Sequence, residues 1–188
     1  SLLCMVVISL QWYFWGYSLV FSQTGGVFIG NFDNAALRDV DFQPHMLAGT
    51  IPALCFMIFQ GFFAIITPAL AVGAAAERIN LHTMLIFVFF WASFVYDFVA
   101  CWTWGPFGWL RNLGSLYTSN GTGAIDFAGG GPVHICSGFT ALAYSLVAGK
   151  SKQSKDGMNE NPNSIYSVIL GTAYVLCSSC AYVQWFLW

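Results

Sequence analysis

The chain has 188 residues, of which 57% are hydrophobic, 18% aromatic and only 7% charged, with a formal net charge of -2. A soluble domain carries about 25% charged residues, so this composition excludes a water-facing globular surface and implies a membrane protein. No basic patch suggests a nucleic-acid partner. The six cysteines all sit in apolar runs, where free Cys behaves as a small hydrophobe. Cys177 and Cys180 have the C-x-x-C spacing, but without a surrounding βαβ pattern they read as two buried thiols rather than a redox pair. No cleavable signal peptide is evident. Ser1 lies inside an apolar run, so the sequence reads as a fragment.

Residues 2–21 are apolar and uncharged, long enough to span a bilayer. Trp12, Tyr13, Trp15 and Tyr17 cluster toward the far end, as an interfacial aromatic belt does. Residues 22–45, with Asp33, Arg38, Asp39, Asp41 and Pro44, read as a solvated loop. The uncharged run 46–76 has 31 residues, about 46 Å as one helix, so it must tilt or project beyond the lipid. Phe56, Phe59 and Phe63 share a face at i, i+3 and i+7, and Gln60 needs a partner inside the bundle. Residues 82–104 form a third span containing Asp97, 105–125 a loop, and 126–149 a fourth span. Residues 150–163 are charged and exposed, and 164–188 form a fifth apolar run.

Basic residues set the orientation. Connections 77–81 and 150–163 hold Arg78, Lys150, Lys152 and Lys155, against Arg38 and Arg111 on the other side. The first pair of loops is therefore expected in the cytoplasm. The sequon Asn120-Gly121-Thr122 then falls outside, where glycosylation occurs. Glu77 and Arg78 read as a salt-bridged helix end, and His45 and His82 as surface residues. No zinc spacing, phosphate loop or nucleophile elbow is present, so neither a metal nor a cofactor is expected.

The stretch that carries chemistry is Asp126 to Lys150. Asp126 can cap the first turn and offset the helix dipole. With the helix starting there, His134 lies roughly 12 Å inside, and an ionisable residue at that depth points to function. Gly130, Gly131, Ser137, Gly138 and Ala141 share a face with His134. On residue physics alone, helix-packing glue is an equal alternative. An aromatic stripe such as Phe59 and Phe63 is by default packing.

The run D-F-A-G-G-x-x-V-H at 126–134, F-Q-G-F-F at 59–63 leading to A-E-R-I at 76–79, and W-T-W-G at 102–105 resemble the ammonium transporter family (Amt/Mep/Rh), most closely its fungal members. The resemblance runs from Trp12 to about Thr172. It implies an all-α polytopic fold of about eleven spans in two inverted halves, normally a plasma-membrane homotrimer, of which this chain holds five. It also implies that Trp104 and Phe63 form an outer cation site, that Phe63 also gates the pore with Phe59 supporting it, and that His134 lines the pore. Asp126 would act indirectly, holding backbone geometry near the outer site. The implied partners are the lipid bilayer and ammonium or ammonia, with methylammonium as analogue.

Two places depart from the family pattern. Asp97-Phe98 stands where fungal relatives tend to have an uncharged residue and proline, either as a variant pore feature or as a sequence error or drift. From Tyr174 to Tyr182 the expected Gly-, Phe- and Asn-rich text is replaced, so a second gate phenyl and an outer-site serine have no assignable position. The second pore His belongs to the half this chain lacks, and the five spans are not expected to enclose a pore alone. Three rival readings remain: an ammonium sensor of the same fold signalling through 150–163, a truncated copy without function, and a membrane-embedded enzyme using Asp126, His134 and Asp97, for which no nucleophile is evident.

Overall fold

The computed structural model describes residues 2–75, 78–113, 123–149, 165–166 and 169–170. The chain divides into two compact units, Ser1–Lys150 and Ser151–Trp188. In the second, residues 165–166 and 169–170 are helical and exposed. The expected span 164–188 otherwise lies outside the described residues, as do Glu77, the sequon, loop 150–163, Cys177 and Cys180.

The first unit contains four helices long and apolar enough to cross a membrane: α1 (Leu2–Phe21), α2 (Ala53–Ala75), α3 (Leu81–Trp104) and α4 (Gly130–Ala148). Lipid offers the backbone no hydrogen bonds, so uninterrupted helices are the economical way across. Three of them include a π-helical turn, at Trp12–Gly16 in α1, Ala92–Tyr96 in α3 and Gly130–Ile135 at the start of α4. Such turns insert a residue and re-aim the side chains around them. The core gathers Ile8, Trp12, Phe21, Phe56, Val88, Trp91, Tyr96, Trp104 and Val133.

Small residues and indoles set the helix contacts. At Gly61 an added Cβ would lie 3.1 Å from the Trp12 ring, so its absence lets α1 and α2 approach until Trp12 Nε1 donates to the Met57 carbonyl at 3.1 Å. Trp91 Nε1 on α3 donates to Thr140 Oγ1 on α4 at 3.0 Å. Just past the C-terminal end of α2, Arg78 donates to the Ala74 carbonyl and to Ser145 Oγ.

The start of the second span corrects the sequence expectation. The uncharged run begins at 46, but the helix begins at Ala53. Residues Ala48–Pro52 instead pair as a strand, β2, with the short β1 (Pro44–His45), a departure from a purely helical fold. Pro52 supplies the physical reason, because it disfavours helical geometry at the residue before it. The resulting 23-residue helix is about 35 Å long, which fits a bilayer core of ~30 Å.

His45 is likewise not a surface residue. Only 3% exposed, it stacks on Phe56 with centroids 4.1 Å apart and meets the edges of Tyr17 and Phe21. Its Nδ1 accepts the Leu47 N–H at 3.2 Å, which only the neutral imidazole can do. The loop before it folds back on the outer ends of α1 and α3. Gly30 N–H donates to the Leu19 carbonyl, and Trp102 Nε1 donates to the Phe28 carbonyl.

The fourth span also starts later than expected. Residues 126–129 form a turn, not a helix, with Gly129 at φ +79°, a left-handed conformation that favours glycine. Asp126 Oδ1 accepts the N–H groups of Gly129 and Gly130, and Oδ2 that of Gly131, all within 2.8 Å. The carboxylate thus satisfies donors that a helix start leaves without partners.

Two outcomes are expected. Burial among rings pushes the His45 imidazole below its ordinary range near 6.5, so the unfolded hairpin takes up a proton first as pH falls. Stability contributed by His45 is then complete above pH ~6.5 and is lost as pH drops below it. Hydrogen-exchange protection of residues 44–52 is expected to fall between pH 7 and 5 in the natural chain and to stay level in His45→Phe. Removing the capping carboxylate in Asp126→Ala is expected to cost about 2–4 kcal/mol, since each hydrogen bond to a charged group is worth ~1.5–3 kcal/mol and the three are not additive. Thermal melting in detergent measures it.

Candidate functional site

The end of the bundle where α3 finishes and α4 begins brings four of the five sequence-predicted residues together. Trp104 closes α3 and is only 9% exposed. Its Nε1 donates to the Asp126 carbonyl at 2.6 Å, which fixes the indole to the turn that opens α4. Phe63 of α2 meets the Trp104 ring with centroids 5.4 Å apart at 61°. Phe59, one turn outward, meets Phe63 at 5.2 Å and 83°. Edge-to-face contacts of this kind favour one relative ring orientation. Phe63 is half-buried, whereas Phe59 is 56% exposed.

Asp126 stands beneath these rings with both side-chain oxygens occupied by backbone N–H groups. Gly129 continues the contact, lying where a Cβ would come within 3.3 Å of the Trp104 ring. The aromatic cluster and the start of α4 therefore form one hydrogen-bonded unit.

His134 is placed differently from its expected depth. Because α4 begins at Gly130, His134 lies about 6 Å inside the helix start, not 12 Å. Its backbone N–H bonds the Gly129 carbonyl at 3.0 Å. The side chain is exposed and has no side-chain partner among the described residues. Gly138, one turn further on, has open space where a Cβ would project. Val133, Cys136 and Ser137 are buried. The small residues around His134 are therefore not uniformly packing glue: Ser137 is buried, while Gly130 and Gly138 are open.

Two further polar residues lie in the bundle. Gln60 is half-buried, and its Oε1 has no partner among the described residues. Asp97 is fully buried, and its Oδ2 accepts a hydrogen bond from Gln11 Nε2 of α1 at 2.6 Å. Sequence reasoning singled out Asp97 but missed Gln11, although Gln11 is the one amide in the first span. No group of three His, Cys, Asp or Glu that could hold a metal occurs among the described residues.

Comparisons with known proteins show which family the chain belongs to. The chain is 44% identical to ammonium transporter 1 of Schizosaccharomyces pombe over 188 residues, which is all of this chain and 34% of that protein. It is 39% identical to ammonium transporter MEP2 of Saccharomyces cerevisiae, again along its whole length and 35% of the relative. The chain thus spans about a third of the length of the relatives it matches. The crystal structure of Candida albicans Mep2 is similar at a TM-score of 0.73 and 42% identity, covering 92% of this chain and 36% of that one. The profile of the Ammonium Transporter Family matches residues 1–177, and with four membrane-length helices in the described residues this multi-pass membrane chain belongs to that family of transporters, not enzymes.

Proposed function

We propose that this chain forms the outer recruitment site and one wall of an ammonium-conducting passage in a plasma-membrane protein, with residues 77–81 and 150–163 on the cytoplasmic side. Further polypeptide completes the passage, and the full-length protein is a homotrimer. The observation that carries the reading is the Trp104–Phe63 pair, anchored through Asp126 to the helix bearing His134.

Magnitudes choose the mechanism. Placing a bare ammonium-sized ion in a low-dielectric medium costs on the order of 20 kcal/mol. Aromatic faces return ~0.5–2 kcal/mol, enough to gather NH4+ at the mouth but not to carry it inward. Both oxygens of Asp126 are engaged by the backbone, leaving no free counter-charge beside the rings. NH4+ therefore gives its proton to water at the mouth, near the Phe63 and Phe59 rings, and neutral NH3 passes inward. His134 offers the passing amine a hydrogen-bond partner and a proton relay. Its exposure in this chain fits a side chain that faces a passage whose other wall lies beyond these residues.

Two measurements on the full chain in reconstituted vesicles test the reading. Trp104→Ala is expected to raise the half-saturating methylammonium concentration by about 2- to 30-fold, the equivalent of ~0.5–2 kcal/mol, with the maximal rate less affected. His134→Ala is expected to abolish methylammonium conduction or change its selectivity. Selective flux unchanged by the His134 substitution would remove the residue from the mechanism.

A further inference from the structure

The crossing of α1 and α3 holds a polar cluster that the aromatic mouth does not use. Gln11 and Asp97 are both fully buried, and each borders a π-helical turn, Trp12–Gly16 and Ala92–Tyr96 respectively. A Cβ on Gly16 would lie 2.7 Å from Gln11 Oε1 and 2.9 Å from Nε2, so the amide is pressed into the space this glycine leaves. Gln11 reaches Asp97 Oδ2 at 2.6 Å and Ser93 Oγ at 3.3 Å, and Ser93 Oγ also accepts Trp15 Nε1–H at 3.0 Å. Three buried oxygens close to the crossing have no partner among the described residues: Gln11 Oε1, Asp97 Oδ1 and the Tyr96 hydroxyl.

Charge balance is the decisive observation. Asp97 makes no ion pair among the described residues. The other titratable groups on the packed elements are Cys4, Tyr13 and Tyr17 on α1, His82, Tyr96 and Cys101 on α3, and His134, Cys136 and Tyr144 on α4. On α2 the one such group is the exposed Cys55. Only the two histidines among these can take up a positive charge, and both are exposed, His82 at the start of α3 and His134 on α4. The described arginines belong to loops and helix ends. An ionised carboxylate here would be a buried charge with no counter-charge and one unserved oxygen, the costliest arrangement for such a group.

Amide oxygen and nitrogen positions follow from the network that surrounds them. Turned over, the Gln11 amide places its oxygen against Asp97, where it accepts a carboxylic O–H, and Ser93 can turn its hydroxyl from the Phe89 carbonyl to the same oxygen while still accepting Trp15 Nε1–H. We propose that Gln11 and Asp97 form a buried proton-binding site: at neutral pH the Asp97 carboxyl carries a proton donated to the Gln11 amide oxygen, and losing that proton to water loosens the crossing of α1 and α3.

The test uses the full chain in lipid nanodiscs with isotope-labelled aspartate carboxyls, and neither readout depends on what the protein conducts. Infrared spectra at pH 7 are expected to contain a protonated aspartate carbonyl band that is absent in Asp97→Asn. The melting temperature of the natural chain is expected to fall by more than about 4 °C between pH 7 and 10. That of Asp97→Asn, an uncharged isostere, stays level. Asp97→Ser serves as second variant should the amide variant not fold. Only ionised aspartate at pH 7, or the same alkaline loss in the natural chain and the variants, overturns the proposal. So does stability at pH 7 that rises with sodium chloride but not choline chloride, which would assign the site to an alkali cation instead.

Discussion

One carboxylate organises the outer half of this chain. Asp126 receives three backbone N–H groups through its side chain and the Trp104 indole through its carbonyl. A helix start leaves donors without partners, and lipid cannot supply them. The same negative charge opposes the positive end of the helix dipole. Because that turn occupies residues 126–129, it decides where α4 begins, and so the depth of His134. Because the carbonyl holds Trp104, it also decides where the last ring of α3 stands relative to Phe63.

Elsewhere the indoles do similar work. Between membrane helices, burial of apolar surface gives little preference over lipid, so close packing and hydrogen bonds must hold the pairs. Trp12 joins α1 to α2 at the Met57 carbonyl, Trp15 joins α1 to α3 at Ser93, and Trp91 joins α3 to α4 at Thr140. Trp102 fastens the outer loop at the Phe28 carbonyl. Each is a large apolar body with one donor, and the donor specifies the partner that the body alone would leave open. Trp109 is the exception, with its Nε1 buried and unpartnered among the described residues.

Much of this was legible in the sequence, because a bilayer imposes length and apolarity on whatever crosses it. The first and third spans fall within one residue of expectation, and the D-F-A-G-G run marked the start of α4 to within four. The errors have a common origin. Composition says which residues tolerate lipid, not which of them take up helix. Residues 46–52 are uncharged yet pair as a hairpin ahead of Pro52, and 126–129 turn because Gly129 adopts a left-handed conformation. Helical spacing placed Phe59 and Phe63 on one side, and they do meet. It carried no information on contacts between helices, which is why the Gln11–Asp97 pair was missed. His45 was misjudged for the same reason, since a polar loop gave no sign of folding back over Tyr17, Phe21 and Phe56.

His134 joins these threads. An imidazole facing acyl chains would be a polar group without a partner, which membrane helices rarely tolerate. Yet its neighbours on that side are Gly138, with empty space before it, and other exposed residues of α4. The buried side of the helix already has its partners in Thr140 with Trp91, and in Ser145 with Arg78. On our reading, the open side, which also exposes the large apolar Phe139 and Leu142, is covered by further polypeptide with a narrow file of small molecules between. The chain's match to only a third of its relatives' length is consistent with that covering wall being supplied from outside these residues. A neutral amine suits such a passage better than its cation for the same reason that Asp97 suits its pocket better protonated: neither place provides a charge to answer one.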